Sequence, residues 1–155
     1  MAIEIERKFL VKGEFKSLAK EQLLIKQGYL SSVPERIVRV RIKGKEAFLT
    51  VKGVGNASGL SRFEWEVEIP IPEAEQMLQL CEANLIHKTR FLIEFENHTF
   101  EVDEFYGENE GLILAELELG FEEEEFEKPD WLGVEVTNDL KYQNSMLLKN
   151  PFKKW

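Results

Sequence analysis

Three charged side chains near the amino terminus, Glu4, Glu6 and Lys8, stand at alternate positions. Alternation is typical of a β-strand, in which successive side chains point to opposite faces, so these three share one face. Carboxylates two residues apart on a strand lie roughly 6–7 Å apart along the backbone and can converge on one hard cation. The lysine one step further can reach an anion held by that cation. The pattern indicates metal-assisted phosphate binding, although a half-buried strand with a solvated polar face would alternate in the same way.

The same alternation recurs along the chain and predicts a charged interior. Seven acidic and seven basic residues fall on one parity of the predicted strands, and they are Glu4, Glu6, Lys8, Arg39, Arg41, Lys52, Arg62, Glu64, Glu66, Lys88, Arg90, Asp103, Glu116 and Glu118. The opposite parity is apolar or aromatic nearly throughout. We therefore predict an α+β fold, in which eight antiparallel strands close into a barrel with a charged lumen and an apolar outer face under a few helices.

The elements that must position these charges follow from periodicity and breakers. Strands are predicted at residues 3–11, 23–30, 36–43, 46–53, 62–69, 86–96, 100–103 and 112–119. Helices are predicted within residues 12–21, at 73–83, at the acidic run 122–125, and after Thr137 or Asn138. We expect Pro129, Trp131 and Gly133 to interrupt regular secondary structure between the last two helices.

The residue types in the lumen restrict its chemistry. Oxygen ligands without cysteine or a central histidine favour Mg²⁺ or Mn²⁺ over Zn²⁺. Clustered lysine and arginine favour a polyanion with several phosphoryl groups, and a metal among cations is the arrangement of phosphoryl transfer. Because acids and bases are balanced, structural ion pairing is the alternative, although buried ion pairs seldom stabilise a fold better than apolar pairs.

Composition bounds the function further. A chain of 155 residues fits one domain, and we predict a single domain over residues 1–155. The formal charge of −9 disfavours nucleic acid or anionic membranes as partners. One cysteine, Cys81, allows no intrachain disulfide, and the first residues lack the apolar core of a signal peptide, so a cytoplasmic location is expected. No run approaches the roughly 18 apolar residues of a membrane span.

These residues resemble the CYTH domains, or triphosphate tunnel metalloenzymes. The signature Glu-x-Glu-x-Lys stands at residues 4–8, and further similar segments follow in order over nearly the whole chain. They are Gln27-Gly28-Tyr29-Leu30, Arg39-Val40-Arg41, Thr50-Val51-Lys52, Arg62-Phe63-Glu64-Trp65-Glu66, Lys88-Thr89-Arg90, Val102-Asp103 and Glu116-Leu117-Glu118. Residues 135–144 are similar to the closing helix of the family, except that Lys141 stands where the family usually has arginine.

The resemblance implies roles for thirteen residues. The metal ligands would be Glu4, Glu6, Asp103, Glu116 and Glu118. The substrate-binding cations would be Lys8, Arg39, Arg41, Lys52, Arg62, Lys88 and Arg90. Tyr29 would pair with Lys8 to orient or deprotonate water, or else would only form a hydrogen bond in the tunnel wall. Whether Lys141 contacts substrate is left open, because lysine lacks the bidentate fork of arginine.

The resemblance also implies a reaction. Short single-domain members with this amino-terminal sequence are similar to inorganic triphosphatases, which cleave tripolyphosphate to pyrophosphate and phosphate with Mg²⁺ or Mn²⁺. The alternatives are a class IV type of adenylate cyclase, a thiamine or nucleoside triphosphatase acting on thiamine triphosphate or ATP, and a non-catalytic polyphosphate-binding module. A homodimer is compatible with exposed aromatic residues such as Trp155.

Overall fold

The computed structural model describes residues 3–82 and 84–155. Nine strands are present: β1 (Ile3–Val11), β2 (Glu21–Ser31), β3 (Ile37–Lys43), β4 (Glu46–Gly55), β5 (Ser61–Ile69), β6 (Ile86–Phe95), β7 (His98–Phe105), β8 (Ile113–Glu118) and β9 (Leu132–Glu135). Two α-helices are α1 (Ile71–Leu80) and α2 (Asn144–Leu147), and 3₁₀ turns form at Lys16–Leu18, Gly107–Asn109, Leu140–Tyr142 and Phe152–Lys154.

The first eight strands close into an antiparallel barrel. Their order is β1, β5, β4, β3, β2, β6, β7 and β8, and β8 pairs again with β1. The closure is made by β1, which pairs with β8 on one edge and, through Ile3 to Ile5, with β5 on the other. The predicted eight-stranded closed barrel is therefore confirmed.

The apolar parity of the strands faces outward and is covered by two segments. Helix α1 packs Ala74 and Leu78 against Val40 of β3 and Ala47 of β4. On the other side, the chain between β8 and β9 covers a larger core, in which the Phe100 ring meets Trp131 edge to face at 5.4 Å. These coverings bury much of the outer face, although Phe63 and Trp65 of β5 stay exposed, and the charged parity points inward, as predicted.

The inward parity becomes apolar at one end of the barrel. Ile86, Phe105 and Leu114 pack there against Tyr142 and Leu147 of the C-terminal segment. This segment fills that end of the barrel, so the charged lumen is a cavity rather than an open channel.

Strand β9 was not predicted, because the sequence indicated only an interruption of regular secondary structure at this point. It pairs with the second half of β1, where Phe9 faces Glu135 and Val11 faces Leu132. A Cβ atom at Gly133 would lie 2.9 Å from the Leu10 carbonyl oxygen. The glycine is therefore required for close pairing of β9 with β1, and interpreting it as a breaker was wrong.

The helix predicted at residues 122–125 is also wrong, because this run forms only a turn and extended chain. Its carboxylates bind other parts of the chain instead: Glu122 accepts from Asn56 and Ser61, and Glu124 accepts from the Gly120 amide. Helix α1 overlaps the helix predicted at residues 73–83, but it begins earlier, at Ile71, and ends at Leu80; the predicted end at Ala83 lies outside the described residues. Among the described helices, none has the length and apolar character needed to cross a membrane.

Candidate functional site

A cavity of about 370 Å³ lies inside the barrel. Nine of the thirteen predicted site residues line it: Glu4, Glu6, Lys8, Tyr29, Arg39, Arg41, Lys52, Arg62 and Glu116. The other four, Lys88, Arg90, Asp103 and Glu118, do not. The alternation that was read from the sequence thus brings both signs of charge to one enclosed space.

Glu4 is a cavity carboxylate with two cationic partners. Its oxygens accept from Lys52 Nζ at 2.8 Å and from Arg62 Nε at 3.1 Å. Burial opposes its charged form, but the Lys52 ammonium, with the neighbouring Glu64 and Arg62 side chains, lowers the pKa of Glu4 to about 2. Glu4 is therefore charged at neutral pH, and Lys52 and Arg62 are partly neutralised by it.

Glu6 and Glu118 are acidic side chains that form no salt bridge within residues 3–82 and 84–155. The two residues are paired directly opposite each other on β1 and β8. Burial, followed by the charges of Glu116 and Glu4, raises the pKa of Glu6 to about 8. Burial and the charges of Glu4 and Glu101 also raise the pKa of Glu118, which lies at the exposed rim.

A divalent cation fits this set of donors. All are carboxylate oxygens, which suit hard cations, and a cation near Glu6 would relieve the repulsion that raises its pKa. In residues 3–82 and 84–155, however, no three acidic, histidine or cysteine side chains are already assembled as a metal-binding group. The carboxylates therefore have the right chemistry for a metal, and they have to converge to hold it.

The opposite wall of the cavity carries positive charge that is only partly compensated. Arg39 Nη2 donates to Thr50 Oγ1 at 3.2 Å and to Glu66 Oε2 at 3.5 Å, but its buried Nε has no hydrogen-bond partner in the described part of the chain. Burial, and next the charges of Arg39 and Arg90, lower the pKa of Arg41 to about 9. An anion in the cavity would supply what both guanidinium groups lack.

Lys88, Arg90 and Asp103 form a separate cluster behind the cavity. Asp103 Oδ2 accepts from Lys88 Nζ at 2.7 Å, and its carboxylate accepts from Arg90 Nε and Nη2 at 2.8 and 2.9 Å. Burial would raise the pKa of Asp103, but the charges of Arg90 and Lys88 lower it. The structure thus groups Asp103 with two cations and not with Glu4 and Glu6. Its role as a metal ligand stays a prediction.

Lys8 and Tyr29, the predicted pair near the reacting water, both line the cavity. Lys8 Nζ donates to the Tyr142 carbonyl oxygen at 3.2 Å and lies 3.7 Å from Glu116 Oε1. Burial raises the pKa of Tyr29 against the lowering effect of Arg39 and other cations. Tyr29 is therefore a neutral phenol at neutral pH, and its catalytic role stays a prediction.

Three residues of this region were not predicted as site residues. Glu101 faces Glu116 across β7 and β8 and accepts from Arg90 Nη1 at 3.3 Å. Gln27 and Asn144 form buried hydrogen bonds between the cations. The alternation places Glu101 on the same parity as Asp103, and Gln27 on that of Tyr29, so the pattern contained the signal for both. Asn144 lies in a segment whose position inside the barrel no local pattern indicates.

Lys141 lies apart from the cavity. Its ammonium is over the Trp155 ring, 4.5 Å from the ring centroid, and 5.4 Å from that of Tyr142. The side chain is exposed and does not line the cavity. Its contacts thus explain Lys141 as part of the packing of the C-terminal segment.

Barrel and cavity together define a closed β-barrel whose cavity has an arginine-rich wall and a carboxylate-rich wall. Residues 2–148 match the CYTH domain, and the chain belongs to this family. Membership of the family implies a divalent metal cofactor.

Relatives and solved structures agree with this assignment. An inorganic triphosphatase of Acetivibrio thermocellus is 52% identical over 155 residues, which cover 99% of this chain and 97% of the relative. An inorganic triphosphatase of Nitrosomonas europaea is 37% identical over 148 residues, covering 93% and 95% of the two chains. A crystal structure of an inorganic triphosphatase is similar with a TM-score of 0.67 and 33% identity, covering 96% of this chain and 95% of that chain.

Proposed function

We propose that this protein is an inorganic triphosphatase, which hydrolyses tripolyphosphate to pyrophosphate and phosphate with Mg²⁺ or Mn²⁺. The observation that carries the proposal is the double lack of charge compensation in one cavity. Arg41 forms no salt bridge and the buried Arg39 Nε has no hydrogen-bond partner, whereas Glu6 on the same cavity forms no salt bridge, all within residues 3–82 and 84–155. A metal complex of a polyphosphate supplies an anion and a cation at once. The relatives named inorganic triphosphatase support the same reaction.

The residues divide into two groups by what they would hold. Arg39 and Arg41 present guanidinium nitrogens that can bind phosphoryl oxygens, and Lys8, Lys52 and Arg62 add positive charge along the same cavity. We assign the metal to the carboxylates Glu4, Glu6, Glu116 and Glu118, with Asp103 as a further predicted ligand. When bound, the divalent cation neutralises charge on the phosphoryl oxygens.

The reaction breaks one phosphoanhydride bond and adds the elements of water to its two sides. Positioning and charge neutralisation supply most of the catalysis of such a transfer. Tyr29 can orient water by a hydrogen bond, since its pKa is raised and the phenol keeps its proton. Lys8 is held by the Tyr142 carbonyl and adds positive charge near the reacting phosphoryl group. Lys88 and Arg90 support the arginine wall from behind and would reach phosphate only after leaving Asp103.

Four further features belong to the proposal. We treat residues 1–155 as one domain that acts in the cytoplasm on a small triphosphate, without nucleic acid or a membrane as partner. The unpaired Cys81 and the net charge of −9 support this view. A homodimer is compatible with the exposed aromatic side chains Phe63 and Trp65 on the outer face of β5. Analytical ultracentrifugation tests this last point directly.

The deciding experiment is phosphate release from tripolyphosphate, ATP, thiamine triphosphate and pyrophosphate, each with Mg²⁺, with Mn²⁺ or with a chelator. We expect tripolyphosphate to be preferred and the chelator to abolish its hydrolysis. Preference for thiamine triphosphate or ATP would replace the proposed substrate. Cyclic AMP formed from ATP would indicate a cyclase, and tight tripolyphosphate binding without turnover would indicate a binding module.

A further inference from the structure

Gln27 joins the arginine wall of the cavity to the C-terminal helix. Its side chain is fully buried, and Arg41 Nε donates to its Oε1 at 2.7 Å. Gln27 Nε2 donates to Asn144 Oδ1 at 2.9 Å, and Lys88 Nζ donates to the same oxygen at 2.8 Å. Two amides in series therefore connect two cations from different strands.

The direction of this chain of hydrogen bonds is fixed by the cations at its ends. Arginine and lysine have only donors, so each must face an amide oxygen. Arg41 thus requires the Gln27 oxygen, and Lys88 requires the Asn144 oxygen. The Gln27 amino group is then left to donate to Asn144, as observed. Every polar atom of the Gln27 side chain is assigned by its neighbours, and only an amide satisfies both ends.

Arg41 differs from the paired interior cations because its acceptor, Gln27, is uncharged. Lys88 and Arg90 share the Asp103 carboxylate, and Lys52 and Arg62 share that of Glu4. Arg41 is fixed through its Nε by an uncharged acceptor, and no described carboxylate forms a salt bridge with it. Its terminal nitrogens make no hydrogen bond within residues 3–82 and 84–155, so they are available to an anion.

We infer that Gln27 is a positioning residue for substrate binding: it fixes the Arg41 guanidinium without neutralising it, and Asn144 of α2 holds Gln27 in that orientation. The inference rests on the proposed function, in which Arg41 binds phosphoryl oxygens. A carboxylate at this position would also fix Arg41, but it would neutralise the charge and would turn an acceptor towards Asn144 Oδ1. An amide therefore gives both rigidity and undiminished positive potential.

Three variants test this inference. Gln27→Glu keeps the size and the acceptor but adds negative charge, and Gln27→Met keeps the size but removes the acceptor. Gln22→Glu is the matched control, since Gln22 lies on the same strand with an exposed side chain. For each protein, KM and kcat for tripolyphosphate are measured with metal, and tripolyphosphate binding is measured by calorimetry with a chelator.

We expect Gln27→Glu to raise KM about tenfold or more and to weaken binding similarly, as for loss of a charged interaction, while kcat changes less. The increase should shrink as the pH is lowered and the introduced carboxyl group becomes protonated, which a mere packing defect would not show. Gln27→Met should raise KM at all pH values, and Gln22→Glu should change neither quantity.

Unchanged KM and unchanged binding in Gln27→Glu would overturn the inference, even if the wild type hydrolyses tripolyphosphate. An equal KM increase in Gln22→Glu would also overturn it, because the effect would then come from net charge alone. If the wild type neither binds nor hydrolyses tripolyphosphate, the proposed function fails and the inference fails with it. If Gln27→Met does not fold, Gln27→Glu still decides, since it keeps the volume and the acceptor.

Discussion

Glu6 and Glu118 face each other directly across β1 and β8, and the pKa of each is raised above that of an ordinary carboxyl group. Like charges directly opposite each other destabilise a pair of strands. A ligand that binds both carboxylates can offset this repulsion, and a divalent cation is the ligand that suits two carboxylates.

Replacing one of these carboxylates should raise the metal requirement. We expect Glu118→Gln or Glu4→Gln to increase the metal concentration for half-maximal activity about tenfold or more, because an amide oxygen lacks the charge of a carboxylate. The measurement is activity as a function of Mg²⁺ or Mn²⁺ concentration. Glu46→Gln, at the exposed first residue of β4, is the control and should have no effect. An unchanged metal titration in both variants would contradict the assignment.

Removing the uncompensated cation should act on substrate binding. Arg41→Ala is expected to raise KM for tripolyphosphate about tenfold or more, since a hydrogen bond to a charged group contributes about 1.5–3 kcal/mol. The metal requirement should change little. Steady-state kinetics at saturating metal measures the effect, with exposed Arg36→Ala as the control. Equal changes in KM and in metal requirement would argue against separate roles for the two walls.

The metal-free protein should become less stable as the pH rises from about 4.5 to about 8. The folded chain holds the Glu6 proton more tightly than the unfolded chain, because its folded pKa is raised to about 8 from 4.5. The free energy of unfolding therefore falls across this interval as the unfolded chain loses the proton first. Urea unfolding in chelator, compared between wild type and Glu6→Gln, isolates the contribution of Glu6. Parallel pH profiles for the two proteins would refute the shift.

Lys141→Ala should leave KM for tripolyphosphate nearly unchanged, since the ammonium lies over the Trp155 ring and not in the cavity. The loss should instead lower the free energy of unfolding by about 0.5–1 kcal/mol, the range of an exposed cation–π contact. Kinetics and urea unfolding of the same variant separate the two effects. A large increase in KM would show that Lys141 reaches the substrate after all.

The outer apolar core should determine most of the stability. Leu117 is fully buried between β1 and β7, so Leu117→Ala should cost about 2–5 kcal/mol of unfolding free energy. Val134 on β9 is 71% exposed, and Val134→Ala should cost less than about 0.5 kcal/mol. Urea unfolding of both variants tests the contrast, and similar losses in the two would indicate that β9 is packed more tightly than its exposure suggests.

Strict alternation made the barrel predictable from the sequence, because a period of two fixes which side chains share a face. Arg39 and Arg41 could be placed inside on that ground alone. Asp103 lies opposite Arg90 in the β6–β7 hairpin, so their pairing is local in sequence. The grouping of Glu4 with Lys52 and Arg62 could not be predicted, because it depends on how β1 meets strands that are distant in sequence. Gly133 was misread for a related reason: its role is to admit the Leu10 carbonyl, which local sequence does not reveal.

The C-terminal segment around Tyr142 and Leu147 fills one end of the barrel and closes the lumen at that end. The cavity then has one entrance, through which molecules must both enter and leave. In the proposed reaction, substrate and products therefore share one entrance. A long polyphosphate chain cannot pass through the barrel and be cleaved repeatedly, because only its end can enter the cavity. The geometry therefore favours short chains, cut once for each entry.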